Sequence, residues 1–283
     1  MTVHTPARAI DSPPEPDRPS FAAATHRNLR PMMLLPWVVP VLLVLGWQWA
    51  SSTGAISASI LPPPSVVFET AKRLWSTGEL QNHILVSLRR IIVGFAVGAA
   101  IGLLLGFAVG LSKIAEGLVD RTLQMLRALP HLALVPLLIA MFGIGELPKV
   151  VLVTLGVIFP VYLNTVAGIR TVDPKLVQLG QSYGLGRAAQ IRDIIVPGAM
   201  PMILTGIRYA LGVAWLTLVI AETIATSEGI GFLAQNGREM LRNDRIILAI
   251  VLYAVAGLLA DQITRMIEAR VLRWNPNYQG AKR

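Results

Sequence analysis

The chain has no cysteine. That excludes disulfides and thiolate-bound metal. Charge is scarce as well: 14% of the 283 residues are charged, against about 25% in an ordinary soluble protein. Histidine is sparse, and His4, His26, His83 and His131 lie too far apart in sequence to suggest a metal cluster. No Gly-x-x-x-x-Gly-Lys-Ser/Thr phosphate loop occurs. Any ATP used with this protein is therefore expected to be hydrolysed by another chain. The apolar runs contain no paired acids, histidine cluster or nucleophile–base arrangement, which argues against an enzyme embedded in the membrane.

What is abundant is apolar surface. Hydrophobic residues make up 54% of the chain, and several runs reach about 20 residues, the length that crosses a bilayer as a helix. They do not alternate as barrel strands would. The expected class is an all-α, polytopic membrane protein of about six spans. The net charge of +9 is spread through the connecting loops and forms no patch. It therefore reads as a positive-inside bias, with no nucleic-acid partner. Residues 1–30 are rich in Pro, Ser, Ala and charge (Pro13-Pro14-Glu15-Pro16-Asp17), and are expected to be a disordered cytoplasmic tail. They are too long and polar for a signal peptide, so the next run is not read as cleaved. Residues 31–283 form the expected transmembrane domain.

The first span is placed at about Met32–Ala50, with Trp37, Trp47 and Trp49 towards its ends like an aromatic belt. After the rigid Leu61-Pro62-Pro63-Pro64-Ser65, a short helix to about Thr77 is expected, capped by Ser65 and amphipathic through Val67, Ala71, Leu74 and Trp75. The second span, Ile84–Gly110, carries Gly94, Gly98, Gly102, Gly106 and Gly110 at intervals of four. On a helix they make one smooth stripe for backbone-to-backbone packing. Arg89 and Arg90 near its outer end read as snorkelling to the headgroups, or as attracting an anion; snorkelling is favoured.

The third span, Val119–Phe142, contains Arg127, Pro130, His131 and Pro136. Prolines break helices, and a membrane tolerates that only beside protein or a cavity. Arg127 is open to two readings, a group on a translocation path or an interfacial arginine with its head in water. His131 is a second path candidate. The fourth span is Pro148–Gly168. The fifth, Met202–Ile224, holds the remaining path candidates, Trp215 and Glu222. A carboxylate inside a span needs a partner, and Arg238 or Arg242 in the following loop is expected to supply it. The sixth span is Ile246–Thr264, followed by a basic tail.

Between spans four and five lies a polar, basic loop at about 169–200. Gly184 reads as a helix stop. Pro197 and Pro201 bracket the entry to the next span. Two short helices with a tight turn are expected. Within it, Gln178-Leu179-Gly180 is followed by Tyr183-Gly184, then Ile194 and Val196-Pro197. This resembles the cytoplasmic signature of ABC importer permeases: Glu-Ala-Ala, three residues, Gly, nine residues, Ile, one residue, Leu-Pro. The Gly, Ile and Pro keep the family spacing. Gln178-Leu179-Gly180 departs from Glu-Ala-Ala. Leu61–Ser65, Met125–Pro136, Ser182–Leu185, Val196–Pro201, Ala221–Ile224 and Trp274–Tyr278 extend the likeness to the sulfonate/taurine/nitrate group, most closely its aliphatic sulfonate members.

The resemblance implies the transmembrane domain of a type I ABC importer. In that family the loop (here Gln178, Leu179, Gly180, Tyr183, Gly184, Ile194 and Pro197) forms coupling helices that dock on an ATPase subunit. It further implies a homodimer of permeases in the bacterial inner membrane, surrounded by lipid and bound to a dimer of ATPase subunits. An extracytoplasmic binding protein delivers substrate. ATP and Mg belong to the ATPase, with no cofactor in this chain. Charge places both termini in the cytoplasm. Taurine, nitrate or another small anion remains an alternative substrate. A secondary transporter without an ATPase is the alternative machine; it would call for inverted repeats and intramembrane acids, of which only Glu222 is present.

Overall fold

The computed structural model describes residues 35–224 and 226–275. The expected tail at 1–30, the first residues of the expected first span (Met32, Met33 and Leu34), and Pro276, Asn277 and Tyr278 of the C-terminal likeness lie outside them. Every regular element among the described residues is helical. The described residues up to Gly46 fall in one unit and those from Trp47 onward in another. Helix α1, Leu35–Ser52, begins in the first and ends in the second.

Within the larger unit the helices are α2 (Pro64–Ser76), α3 (Glu79–Leu111), α4 (Lys113–Ala115), α5 (Arg121–Ala128), α6 (Val135–Phe142) and α7 (Glu146–Arg170). They continue with α8 (Pro174–Ser182), α9 (Arg187–Gln190), α10 (Val196–Thr223), α11 (Ile230–Glu239) and α12 (Asn243–Val271). Among the described residues, four continuous helices are long and apolar enough to cross a membrane: α3, α7, the stretch Arg187–Thr223, and α12. The expected third span is a bent pair, Lys113–Ala128 and His131–Phe142, meeting at 79°. The physical cause is Leu129-Pro130. Proline excludes its predecessor from the helical region, and Leu129 is extended (φ −74°, ψ 125°).

The centre of the bundle is the α3–α7 seam. The two helices run parallel, since successive glycines of α3 meet successive residues of α7. A Cβ at Gly94 would lie 2.8 Å from the Val153 side chain, and one at Gly98 2.7 Å from the Thr154 carbonyl. At Gly102 it would lie 2.8 Å from the Ile158 carbonyl, at Gly106 2.5 Å from Thr165, and at Gly110 2.6 Å from Ile169. The close approach lets the Thr154 hydroxyl donate across the seam to the Gly94 carbonyl (3.2 Å). Helix α10 packs antiparallel on the other side of α7: Gly156 faces Thr217, whereas Gly168 faces Ala199 and Met202. Ile91, Val153, Val157, Val161, Ala210, Ala214 and Leu218 fill the space between the three helices. Helix α12 closes the bundle, its start tied to α3 by Arg245–Glu79 and its end to α10 by Arg208–Glu268.

Three local expectations need correction. Ser65 does not cap α2. Pro63 and Pro64 hold the helix start, no side chain caps it, and the Ser65 N–H instead donates to Gln48 Oε1 (3.2 Å). The inner face of α2 is Val67, Thr70 and Leu74, with Trp75 exposed; Val67 and Leu74 pack on Ile230, Leu233 and Leu248. The fifth span does not start at Met202. Its helix runs on from Arg187, because a π turn at Ile191–Ile195 absorbs Pro197. There the Val196 N–H reaches back five residues to the Ile191 carbonyl, and the wider turn accommodates a ring that would clash in a tight α-helix.

Candidate functional site

Two polar constructions stand at opposite ends of the bundle. The first is the loop after α7. Asp173 begins α8, its side chain accepting from the Lys175 N–H (2.8 Å), with Pro174 in the first turn. The helix ends in a Schellman motif. The Gly184 N–H donates to the Gln181 carbonyl (2.9 Å) and the Leu185 N–H to the Gly180 carbonyl (3.0 Å). Gly184 sits at φ +78°, a conformation open to glycine and costly for a residue with a Cβ.

The chain then turns back, and Ile194 packs onto α8 where a Cβ on Gly180 would lie 2.7 Å from its Cδ1. Here the departure from Glu-Ala-Ala has a physical meaning: glycine at position 180 admits Ile194. Gly184, Gly180, Ile194 and Pro197 thus form one assembly. Its exposed ridge is apolar, with Leu176, Leu179 and Tyr183 at 52%, 53% and 81% exposure. Beside the ridge a groove of about 540 Å³ is lined by Leu179, Tyr183, Leu185, Ile194, Pro197 and Trp274. Gln178 is exposed. Arg187 reaches the last carbonyl of α3, Leu111 (3.5 Å). The expected second short helix is α9, and it is continuous with α10 rather than separate.

The second construction surrounds Glu222, which is fully buried. Its carboxylate accepts from Ser87 Oγ (2.7 and 2.8 Å), Arg90 Nη1 (2.7 Å), the Gly231 N–H (2.9 Å) and Tyr253 Oη (2.8 Å). Arg90 therefore does not snorkel. It is 2% exposed and spends its remaining donors on the Glu228 carbonyl (2.8 Å) and, as a fork, on Glu146 (2.6 and 2.7 Å). Arg242 does not pair with Glu222 either; it pairs with Asp244. The loop 228–231 closes over the cluster. The Gly229 N–H donates to His83 Nδ1 (3.1 Å) and the Ile230 N–H to Ser87 Oγ (2.9 Å). Gly229 has φ +116°, and a Cβ there would sit 2.6 Å from both Arg90 and Glu222. His83, Ser87, Arg90 and Gly94 share one face of α3. A polar stripe in register with the glycine stripe was the available signal for this cluster.

The four path candidates are not gathered into one site. Arg127 is exposed at the end of α5. His131, in the short 3-10 turn His131–Leu134, meets Thr217 Oγ1 through Nε2 (3.1 Å) beside Gly156. Trp215 stands edge-on to Tyr253 (6.2 Å, 78°) and lines an apolar cleft of about 500 Å³ between α3, α10 and α12. Glu222, the fourth candidate, is fully buried in the charged cluster.

Known proteins carry the same architecture. The family described as binding-protein-dependent transport system inner membrane component matches residues 98–273. The chain is 48% identical over 247 residues to the aliphatic sulfonate permease SsuC of Escherichia coli K12, covering 87% of this chain and 94% of that protein. It is 35% identical over 244 residues to the taurine transport system permease protein TauC of the same organism, covering 84% and 88%. It is 29% identical over 251 residues to the nitrate import permease protein NrtB of a Synechocystis strain, covering 86% and 90%. The fold is shared with a solved amino acid ABC transporter (TM-score 0.60, 19% identity), over 71% of this chain and 97% of that one. The chain therefore belongs to the family of binding-protein-dependent transport system inner membrane components, the membrane permeases of ABC importers.

Proposed function

We propose that this permease imports aliphatic sulfonates. It does so as a homodimer in the bacterial inner membrane, driven by a pair of separate ATPase subunits and fed by an extracytoplasmic binding protein. The observation that carries the reading is the loop at 169–200. A short helix, closed by a Schellman turn at Gly184 and braced by Ile194 on Gly180, presents Leu176, Leu179 and Tyr183 to a partner. Exposed apolar side chains on a stiff element, rimmed by Lys175, Arg187 and Arg192, suit a protein interface. Because the helix from Arg187 to Thr223 is unbroken, a push on α9 moves all of α10 as one lever. Docking of the ATPase, which holds the ATP and Mg, closes the loops of the two permeases together and opens the far end to substrate; hydrolysis reverses the motion.

The loop end faces the cytoplasm. Lys113, Arg121, Arg170, Lys175, Arg187, Arg192, Arg265, Arg270 and Arg273 all belong to that end of the bundle, and the positive-inside rule places such a surface inside. Both termini follow. The choice of sulfonate rests on the likeness to SsuC, with taurine and nitrate as the substrates named for more distant relatives.

The test is uptake into proteoliposomes holding the permease, the ATPase and the binding protein encoded beside it, with ethanesulfonate, taurine and nitrate in turn. ATP-dependent accumulation of ethanesulfonate is expected. Accumulation of taurine or nitrate alone would keep the machine and move the substrate. Transport without the ATPase would overturn the reading.

A further inference from the structure

The cluster around Glu222 contains more than a structural ion pair needs. Four donors satisfy Glu222, and Arg90 is one of them. A second cation, Lys149, is also buried, at 6% exposure, and donates to the Gly145 carbonyl (2.9 Å). Two buried cations thus face one buried carboxylate. The missing negative charge comes from Glu146, which takes the Arg90 fork and stands 3.6 Å from the Lys149 ammonium. Unlike its partners, the Glu146 side chain is 62% exposed. It is the first residue of α7, after Gly143, Ile144 and Gly145, so it sits at the outer rim of the cluster on the end opposite the loop.

We infer that Arg90 and Lys149 form a recognition site for a sulfonate head group, and that Glu146 is its resident counter-ion, displaced when substrate enters. The inference rests on the proposed sulfonate transport. Its physical basis is charge balance. With Glu146 turned to solvent, Arg90, Lys149 and Glu222 carry two positive charges against one negative, a net deficit of one anion. Leaving two cations buried with a single carboxylate is costly. Glu146 therefore departs when another anion takes its place. A sulfonate supplies one negative charge and three acceptor oxygens, enough for the planar Arg90 fork and the Lys149 ammonium together. Beside the ammonium lies an apolar cavity of about 10 Å³, lined by Ile139, Ile144, Leu152 and Ala221. That is the room of about one water molecule, too little for an alkyl tail. The tail therefore stays outside, and the site reads the sulfonate head group alone.

The experiment is calorimetric titration of ethanesulfonate and taurine into the purified full-length permease in nanodiscs. Wild type, Glu146→Gln, and Glu146→Gln combined with Lys149→Met are compared. If Glu146 holds the fork about nine-tenths of the time, removing its charge tightens ethanesulfonate binding about tenfold. Taurine, which carries the same head group, gains about as much, and Lys149→Met cancels both gains. Glu146 is exposed, so its amide variant is expected to fold. Ethanesulfonate binding no tighter in Glu146→Gln than in wild type would overturn the site, as would a gain that survives Lys149→Met. ATP-driven uptake by the wild-type complex is scored separately. Absence of organosulfonate uptake counts against the transport reading, whereas the binding comparison alone decides the site.

Discussion

At the loop end, Gly184, Gly180 and Ile194 build a rigid turn from backbone hydrogen bonds and one apolar contact, leaving Tyr183 and Leu179 in the open. At the other end, Glu222, Arg90, Ser87 and Tyr253 build a buried knot from charged and polar side chains drawn from α3, α10 and α12, with Glu146 of α7 at its rim. The first arrangement holds its shape while leaving apolar side chains exposed. The second stores its interactions inside, where low dielectric strengthens them and makes any loss expensive. The α3–α7 seam joins the two, a smooth glycine face along which little side-chain rearrangement is needed. An exposed apolar ridge and a charged cluster are thus placed at the two ends of one stiff bundle.

The comparison breaks most sharply if the two ends respond alike to substitution. The largest effect is expected from Glu222→Ala, which strips the knot of its acceptor and leaves Arg90 buried with only the rim carboxylate. Removing one partner of a buried ion pair costs about 3–5 kcal/mol. Thermal unfolding in detergent should show a large fall in midpoint, or no folded protein at all. An unchanged midpoint would mean that the knot is not holding the bundle. Next comes the seam. Gly98→Ala puts a methyl 2.7 Å from the Thr154 carbonyl, and overpacking of this kind costs about 1–3 kcal/mol. A seam that accepts alanine without loss would show that α3 and α7 can separate freely.

At the loop, Gly184→Val strains a left-handed turn by about 1–2 kcal/mol, confined to one exposed corner. Its signature is ATP-driven uptake falling well before the unfolding midpoint does. The smallest effect on stability belongs to Tyr183→Ala. An exposed side chain away from packing changes stability by about 0.5 kcal/mol or less, yet this one is expected to weaken ATPase co-purification. If Tyr183→Ala destabilised the permease as Glu222→Ala does, the division between the two ends would fail.

Much of the loop end is legible in sequence because its determinants are local. Gly184 announces a left-handed turn by residue type, and the spacing to Ile194 and Pro197 falls within one short stretch. The glycine stripe of α3 is legible for the same reason, its period of four being visible on one helix. The charged knot is not. Arg90 and Glu222 are 132 residues apart, and nothing in the neighbourhood of either names the other. Sequence proximity points Glu222 towards Arg238 and Arg242, but Arg242 has its own local partner in Asp244, two residues on. Arg89 is exposed and so free to follow the snorkelling rule. The rule fails one residue later, because Arg90 lies on the face that α3 turns towards α7 and α10. Pro197 looks like a helix boundary because proline removes a backbone donor. The π turn before it supplies the extra room, and tertiary packing keeps the helix whole.

The absence of native cysteine makes one experiment clean. Tyr183→Cys, on the loop ridge, and Arg73→Cys, on α2 at the opposite end, are labelled with a membrane-impermeant maleimide, first from outside whole cells and then in inside-out vesicles with and without the ATPase. Arg73→Cys should label only from outside. Tyr183→Cys should label only in inside-out vesicles, and the ATPase should protect it. Labelling of Tyr183→Cys from outside, or labelling indifferent to the ATPase, would contradict the claim that this loop is where the motor engages the membrane.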